Sequence, residues 1–143
     1  LGTRIFYSDH GSFDSHSNQV SMHSNLLGEI SIAIQNFFDD LREHDAAENV
    51  IMLIFSEFGR RTHDNGSGTD HGAAGAAFVI GDRVKGGEYG EFPSIKLADL
   101  QQGDQVPSTD FRSVYSTILE DWLGMDAKPI VGGTFEKPLF IEA

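Results

Sequence analysis

Residues 49–55 (NVIMLIF) form an unbroken apolar run that ends abruptly in Ser, Glu, Gly, Thr, Asn, Asp and His. That profile predicts a fully buried strand giving way to polar loops. Upstream, residues 3–8 (TRIFYS) read as a first strand, and a polar stretch at 9–18 separates them from a helix. The helix, over 20–42, is predicted by Leu27, Ile30, Ile34, Phe37, Phe38 and Leu41, which recur at steps of three and four and so line one face. Residues 43–48 (EHDAAE) turn the chain. Strand, helix and strand in this order predict a parallel crossover, hence an α/β fold with a partly parallel sheet flanked by helices.

Further along, the pattern predicts a long glycine-rich loop at 59–75, a short apolar strand at 76–80 and a second loop at 81–93 that holds Gly86, Gly87 and Gly90. Loops of this length in a compact domain usually carry function. Thr109 or Asp110 can cap a last helix through Leu123, with Val114, Tyr115, Ile118, Leu119 and Trp122 on its buried side and Gly124 closing it. Residues 128–143 are expected to be an irregular tail with a short strand.

Composition narrows the partners. A chain of 143 residues is long enough for one domain with a real core, and residues 1–143 show no repeat or second unit. Twenty-two acidic against ten basic residues give a net charge of -12, which argues against nucleic acid and anionic membranes and in favour of cations. With no cysteine, a bound zinc, manganese, magnesium or calcium ion would be held by oxygen and imidazole. No apolar run approaches the roughly 20 residues that span a bilayer. Because residues 3–8 already read as a strand, the chain is expected to be the C-terminal portion of a longer domain.

Three clusters carry candidate chemistry: Asp14-Ser15-His16 after the first strand, Glu57 after the second, and Asp70-His71 in the glycine-rich loop. All lie where strands end, the edge at which open α/β sheets bind ligands. A divalent ion needs donors converging within about 2.0–2.3 Å, and His with Asp suits zinc or manganese while carboxylates alone suit magnesium or calcium. Each cluster also has a plainer reading. Asp70 can form a turn that holds its own loop, with only His71 facing the site, and Glu57 can pair with Arg60 or Arg61. His10 and His63 also lie on candidate loops, whereas His23 and His44 read as helix or surface residues. Ser8, Ser15, Ser56 and Thr69 lie near the inferred site, but none sits in a Gly-x-Ser-x-Gly elbow, so no nucleophile is named. Nor does Gly86-Gly87 carry the Lys-Ser/Thr of a phosphate-binding loop.

The order FYSDHGSFDSH, helix, NVIMLIFSEFG, GTDHG resembles the alkaline phosphatase-like superfamily, which includes sulfatases and nucleotide pyrophosphatases. GTDHGAAGAAFVIGDRVKGG and STDFRSVYSTILEDWLGM resemble later segments of the same enzymes. Closer still, GSFDSHSNQ, FSEFGRR, NGSGTDHGAAG and TDFRSVY are similar to a bacterial family of unknown function, whose members commonly carry a twin-arginine export signal. The resemblance implies a metal-dependent hydrolase of small-molecule or polysaccharide phosphate or sulfate esters, located in the periplasm or secreted. It implies that Asp14, His16 and His71 hold one divalent ion and that Glu57 contributes to a second, with Asp70 behind them. Arg60, Arg61 or Lys85 would bind an oxyanion, or else be ordinary surface charge. This chain departs from the pattern where Phe58 stands in place of a second-site His, in the close spacing of Asp14 and His16, and in Glu57 for Asp. The family's nucleophile precedes anything in these residues, so the chain alone is expected to be inactive. The alternative is a non-catalytic member that binds a metal or a partner.

Overall fold

The computed structural model describes residues 2–142. A 25-residue helix, α1 (Gln19–Glu43), opens the regular structure. Its inward stripe is Leu26, Ile30, Ile34, Phe38 and Leu41, of which Phe38 is fully buried. Leu27 and Phe37, expected on that face, point outward and are exposed. A single 3-10 turn at Ala47–Asn49 leads into strand β1 (Met52–Ile54). Two further strands, β2 (Gly59–Asp64) and β3 (Thr69–Gly72), form a hairpin, and β4 (Phe78–Ile80) follows. Helix α2 (Phe111–Thr117) continues through one wider turn at Ile118–Trp122, and a last short helix, α3 (Lys128–Val131), opens the 128–143 segment that was expected to be irregular.

The class is mixed α/β, but its strand pairs are not parallel. β1 pairs antiparallel with β4, Met52 opposite Ile80 and Ile54 opposite Phe78, and β2 pairs antiparallel with β3. Residues 3–8, expected to be the neighbouring strand, form no ladder, and Ile5, Phe6 and Tyr7 are exposed. The parallel crossover therefore does not form among the described residues. β1 has one neighbour instead of two, which is why Met52, Leu53 and Ile54 are half-buried rather than sealed. The total accessible surface of 10289 Å² reflects this openness, since a self-contained monomer of this mass exposes about 7300 Å².

The stretch at 59–75, expected to be loop throughout, contains the β2–β3 hairpin. Its strands read GRRTHD and TDHG, with too little apolar alternation to signal a strand. The turn supplies the pairing instead. Asn65 N–H donates to Gly68 O at 2.9 Å, while Asn65 Oδ1 accepts from Ser67 N at 3.0 Å and Gly68 N at 2.9 Å. Asn-Gly in this position favours a hairpin because both residues tolerate positive φ, and Gly66 sits at φ 97°.

Asp110 caps α2, accepting from Arg112 N at 2.9 Å, as expected from its position. The Arg112 side chain and backbone together hold the Asp110 carboxyl down to about 2. The helix's deepest residues are Ser113, Ser116 and Thr117, while Val114, Tyr115, Ile118, Leu119 and Trp122 are half-buried. Small side chains let the tail approach closely. The Thr117 hydroxyl donates between Ser113 O at 3.2 Å and Pro138 O at 3.0 Å, and Phe140 is buried. Lys85 N–H donates to Phe140 O at 2.8 Å and Glu142 N–H to Arg83 O at 3.0 Å, which supplies the short strand-like pairing expected of the tail. Thr117→Val keeps the shape but removes one of the two donors to Pro138 O, leaving the Phe140 N–H at 3.1 Å. It is expected to lower unfolding free energy by about 1 kcal/mol, measured by urea denaturation.

Candidate functional site

The hairpin and the loop before α1 meet at one exposed corner. Gln19, in the first turn of α1, joins them. Its Nε2 donates to Ser15 O at 2.5 Å and Thr69 O at 3.3 Å, while its Oε1 accepts from Thr69 N at 2.9 Å and Thr69 Oγ1 at 3.0 Å. Asn18 N–H also donates to Ser67 O at 3.1 Å. Residues 13–16 are thereby laid across β3.

At that corner, ligand atoms of Asp14, His16 and His71 all lie within 4.8 Å of one another. Asp14 stands between the imidazoles. His71 Nε2–H donates to Asp14 Oδ1 at 2.7 Å, and His16 Nε2 lies 3.2 Å from the same oxygen. The two rings are 4.8 Å apart and tilted by 33°. Asp70 lies behind His16, whose Nδ1–H donates to Asp70 Oδ1 at 3.2 Å, and Asn65 Nδ2 donates to the same oxygen at 3.0 Å. Asp70 thus does not turn its own loop; Asn65 and Asp64 do that, Asp64 Oδ1 accepting from Gly66 N at 2.6 Å.

This donor set fits a divalent ion. A carboxylate and two imidazoles are a ligand trio for zinc or manganese with positions left open. Asp70 on His16 Nδ1 fixes the tautomer that turns Nε2 toward Asp14, the arrangement by which a carboxylate orients a metal-bound histidine. A tetrahedral ion holds its ligand atoms about 3.4 Å apart. The Asp14 oxygen lies 2.7 Å from His71 Nε2 and 3.2 Å from His16 Nε2, both inside that spacing.

Both carboxyls titrate low. The Asp14 pKa is lowered from 3.8, chiefly by its hydrogen bond from His71, and that of Asp70 by hydrogen bonds from Asn65 and then His16. A depressed folded pKa gives stability that is present above 3.8 and lost as pH falls through the folded value. Acidification below pH 3.8 is therefore expected to loosen the Asp14–His71 and Asp70–His16 contacts, while the Gln19 and Asn18 hydrogen bonds keep the loop on the hairpin. Following the His16 and His71 ring resonances through that range checks it, and Asp14→Asn is expected to weaken the dependence.

The remaining candidates stand around this trio in different roles. Glu57 is exposed in the bend between β1 and β2 and does not join the cluster. It does not pair with either arginine: Arg61 Nε lies 3.1 Å from Asp104, and Arg60 donates to two carbonyls, Thr69 O and Phe13 O, both at 2.9 Å. His10 Nε2 lies 3.8 Å from Glu29, and His63 is exposed on β2. Sequence reasoning passed over Gln19 and Asn65, the two amides that hold the corner together. Their signal is positional: an amide in the first turn of a helix that follows a ligand loop, and an Asn-Gly turn five residues before Asp70.

Among the described residues, no helix is long and apolar enough to cross a membrane. No curated protein matches the sequence, and no solved structure matches it. A family model described as a protein of unknown function (DUF1501) matches residues 1–139. The chain belongs to this DUF1501 family.

Proposed function

We propose that Asp14, His16 and His71 bind one divalent metal ion, with zinc or manganese preferred to magnesium or calcium, as the centre of a phosphate- or sulfate-ester hydrolase. The observation that carries the metal reading is the convergence of the trio with Asp70 oriented behind His16. The ester chemistry rests on the order of motifs shared with the alkaline phosphatase-like superfamily. In that setting the ion would polarise an ester oxygen and offset the charge developing on it. The chain's own part is to hold the open face. Asp14 and the two Nε2 atoms would supply the donors, the ion replacing the proton that His71 Nε2 gives to Asp14, while Asp70 keeps the His16 tautomer and Gln19 with Asn65 keeps the two segments in register.

Oxyanion binding at this corner falls to the ion and to backbone groups, because Arg60 is spent on carbonyls and Arg61 faces Asp104. Glu57 would serve a second ion only if the bend at 55–58 moved it toward the trio. Ester substrates in the periplasm or outside the cell complete the reading, which here rests on the resemblance alone. The test is equilibrium dialysis of the chain against zinc, manganese, magnesium and calcium, followed by assays on aryl phosphate and aryl sulfate. Stoichiometric zinc or manganese with ester turnover supports the whole reading. Stoichiometric ion without turnover, in a preparation that includes any further polypeptide of the protein, favours the non-catalytic binding alternative. No ion at any pH between 6 and 9 overturns the hydrolase and the metal-binding alternative together, leaving a non-catalytic member that binds a partner.

A further inference from the structure

Beside the trio lies an aromatic contact that the metal reading does not use. The Phe58 ring stacks on the His71 imidazole, with centroids 3.9 Å apart and planes within 10°. The Arg60 guanidinium carbon lies 4.8 Å from the centre of the same phenyl ring. With His16 next to His71, the order is guanidinium, phenyl, imidazole, imidazole. Arg60 is itself anchored, donating through Nη1 to Thr69 O and through Nη2 to Phe13 O. Those carbonyls belong to the residues next to Asp14 and Asp70, so one side chain ties both segments that carry the trio and also touches Phe58.

We propose that Phe58 and Arg60 are positioning residues for the metal trio: Phe58 fixes the His71 ring by stacking, and Arg60 fixes the separation of the Asp14 loop from β3. The inference rests on the metal reading above. Its physical basis is the exposure of the trio. The His71 side chain is 43 % exposed, on a strand of a two-stranded hairpin, where nothing in the backbone holds an imidazole to one rotamer. Every rotamer other than the converging one costs ion affinity in proportion to its population. A face-to-face aromatic neighbour removes those alternatives, and a guanidinium near the phenyl ring adds a cation–π attraction that keeps Phe58 in place.

The experiment compares wild type, Phe58→Leu, Phe58→Tyr and Arg60→Lys in the full chain, by zinc and manganese titration calorimetry and by the His71 ring proton shifts without metal. Phe58→Leu keeps apolar bulk but loses the flat face, and it is expected to weaken ion binding about 2- to 10-fold. Phe58→Tyr restores the face and is expected to restore affinity. Arg60→Lys cannot reach two carbonyls at once and is expected to weaken binding with Phe58 unchanged. In wild type and Phe58→Tyr the ring current moves the His71 ring protons upfield, and in Phe58→Leu they return toward free imidazole values. A general loss of structure would lower affinity in the Tyr variant as well, and that result overturns the proposal. So does a Phe58→Leu chain that binds as wild type, or a wild-type chain with unshifted His71 protons. A wild-type chain with shifted protons that takes up no ion defeats the metal reading instead, and the positioning role with it, while leaving the stack as a structural contact.

Discussion

Replacing His71 by alanine is expected to reduce zinc or manganese affinity by at least about 100-fold, because losing even a supporting partner of a metal ligand costs about 10–100-fold. His71 supplies one of three donors and the shortest contact of the cluster, 2.7 Å to Asp14. Its removal leaves Asp14 and His16 on one short loop, a pair that an exposed site does not hold against water. The smaller loss expected for Asp70→Ala, about 10-fold, comes from a different cause. All donors remain, but His16 Nδ1 no longer has the carboxylate that fixes its tautomer, and Nε2 faces the ion for only part of the time. Ion titration of both variants orders the effects. Equal losses would mean that Asp70 is itself a ligand, and no loss in either would remove the trio from consideration. Far-ultraviolet circular dichroism should stay unchanged in His71→Ala, since its side chain is exposed and carries no core packing.

The convergence of Asp14, His16 and His71 on one corner agrees with the residues that the sequence singles out, while much of the scaffold beneath them is not legible there. Asp14, His16 and His71 announce themselves by residue type and by lying at the ends of segments, and the structure brings them together. Glu57 announces itself in the same way and stays apart, because β1 ends at Ile54 and the bend that follows leaves its side chain in solvent. Apolar periodicity found α1 and the register of its inner stripe, but not its outward Leu27 and Phe37, because a helix with apolar residues on more than one face does not say which face is covered. The apolar run at 49–55 gave the right location for β1 and the wrong neighbour. An apolar strand pairs with whatever edge is available, and here that edge is β4 in the antiparallel sense. The β2–β3 hairpin was hidden because its pairing comes from Asn65 and backbone approach rather than from side-chain alternation.

That backbone approach sets the largest stability effect expected in the chain. Gly59 opens β2, and a Cβ on it would fall 1.7 Å from Ala74 O and 2.3 Å from Ala74 C. Both atoms are main chain, so no side-chain rotation relieves the overlap, and either β2 or the segment after β3 must shift. Across the same pair, a Cβ on Gly72 would stand 2.6 Å from the Arg60 carbonyl carbon. Gly59 and Gly72 are opposite each other in the register, so the hairpin closes at this end only where both side chains are absent. Gly59→Ala is therefore expected to cost about 3 kcal/mol, at the upper end of overpacking effects because rigid backbone rather than a flexible side chain is displaced. Chemical denaturation measures the loss. The same variant should also bind zinc or manganese more weakly, since moving β2 shifts Arg60 and breaks its hold on Phe13 O and Thr69 O. His71→Ala and Gly59→Ala then fail in different ways: the first loses the ion and keeps the fold, whereas the second loses stability first and the ion in consequence. A Gly59→Ala chain of undiminished stability would show that the hairpin does not close against Ala74, and the placement of His71 beside Asp14 would lose its structural basis.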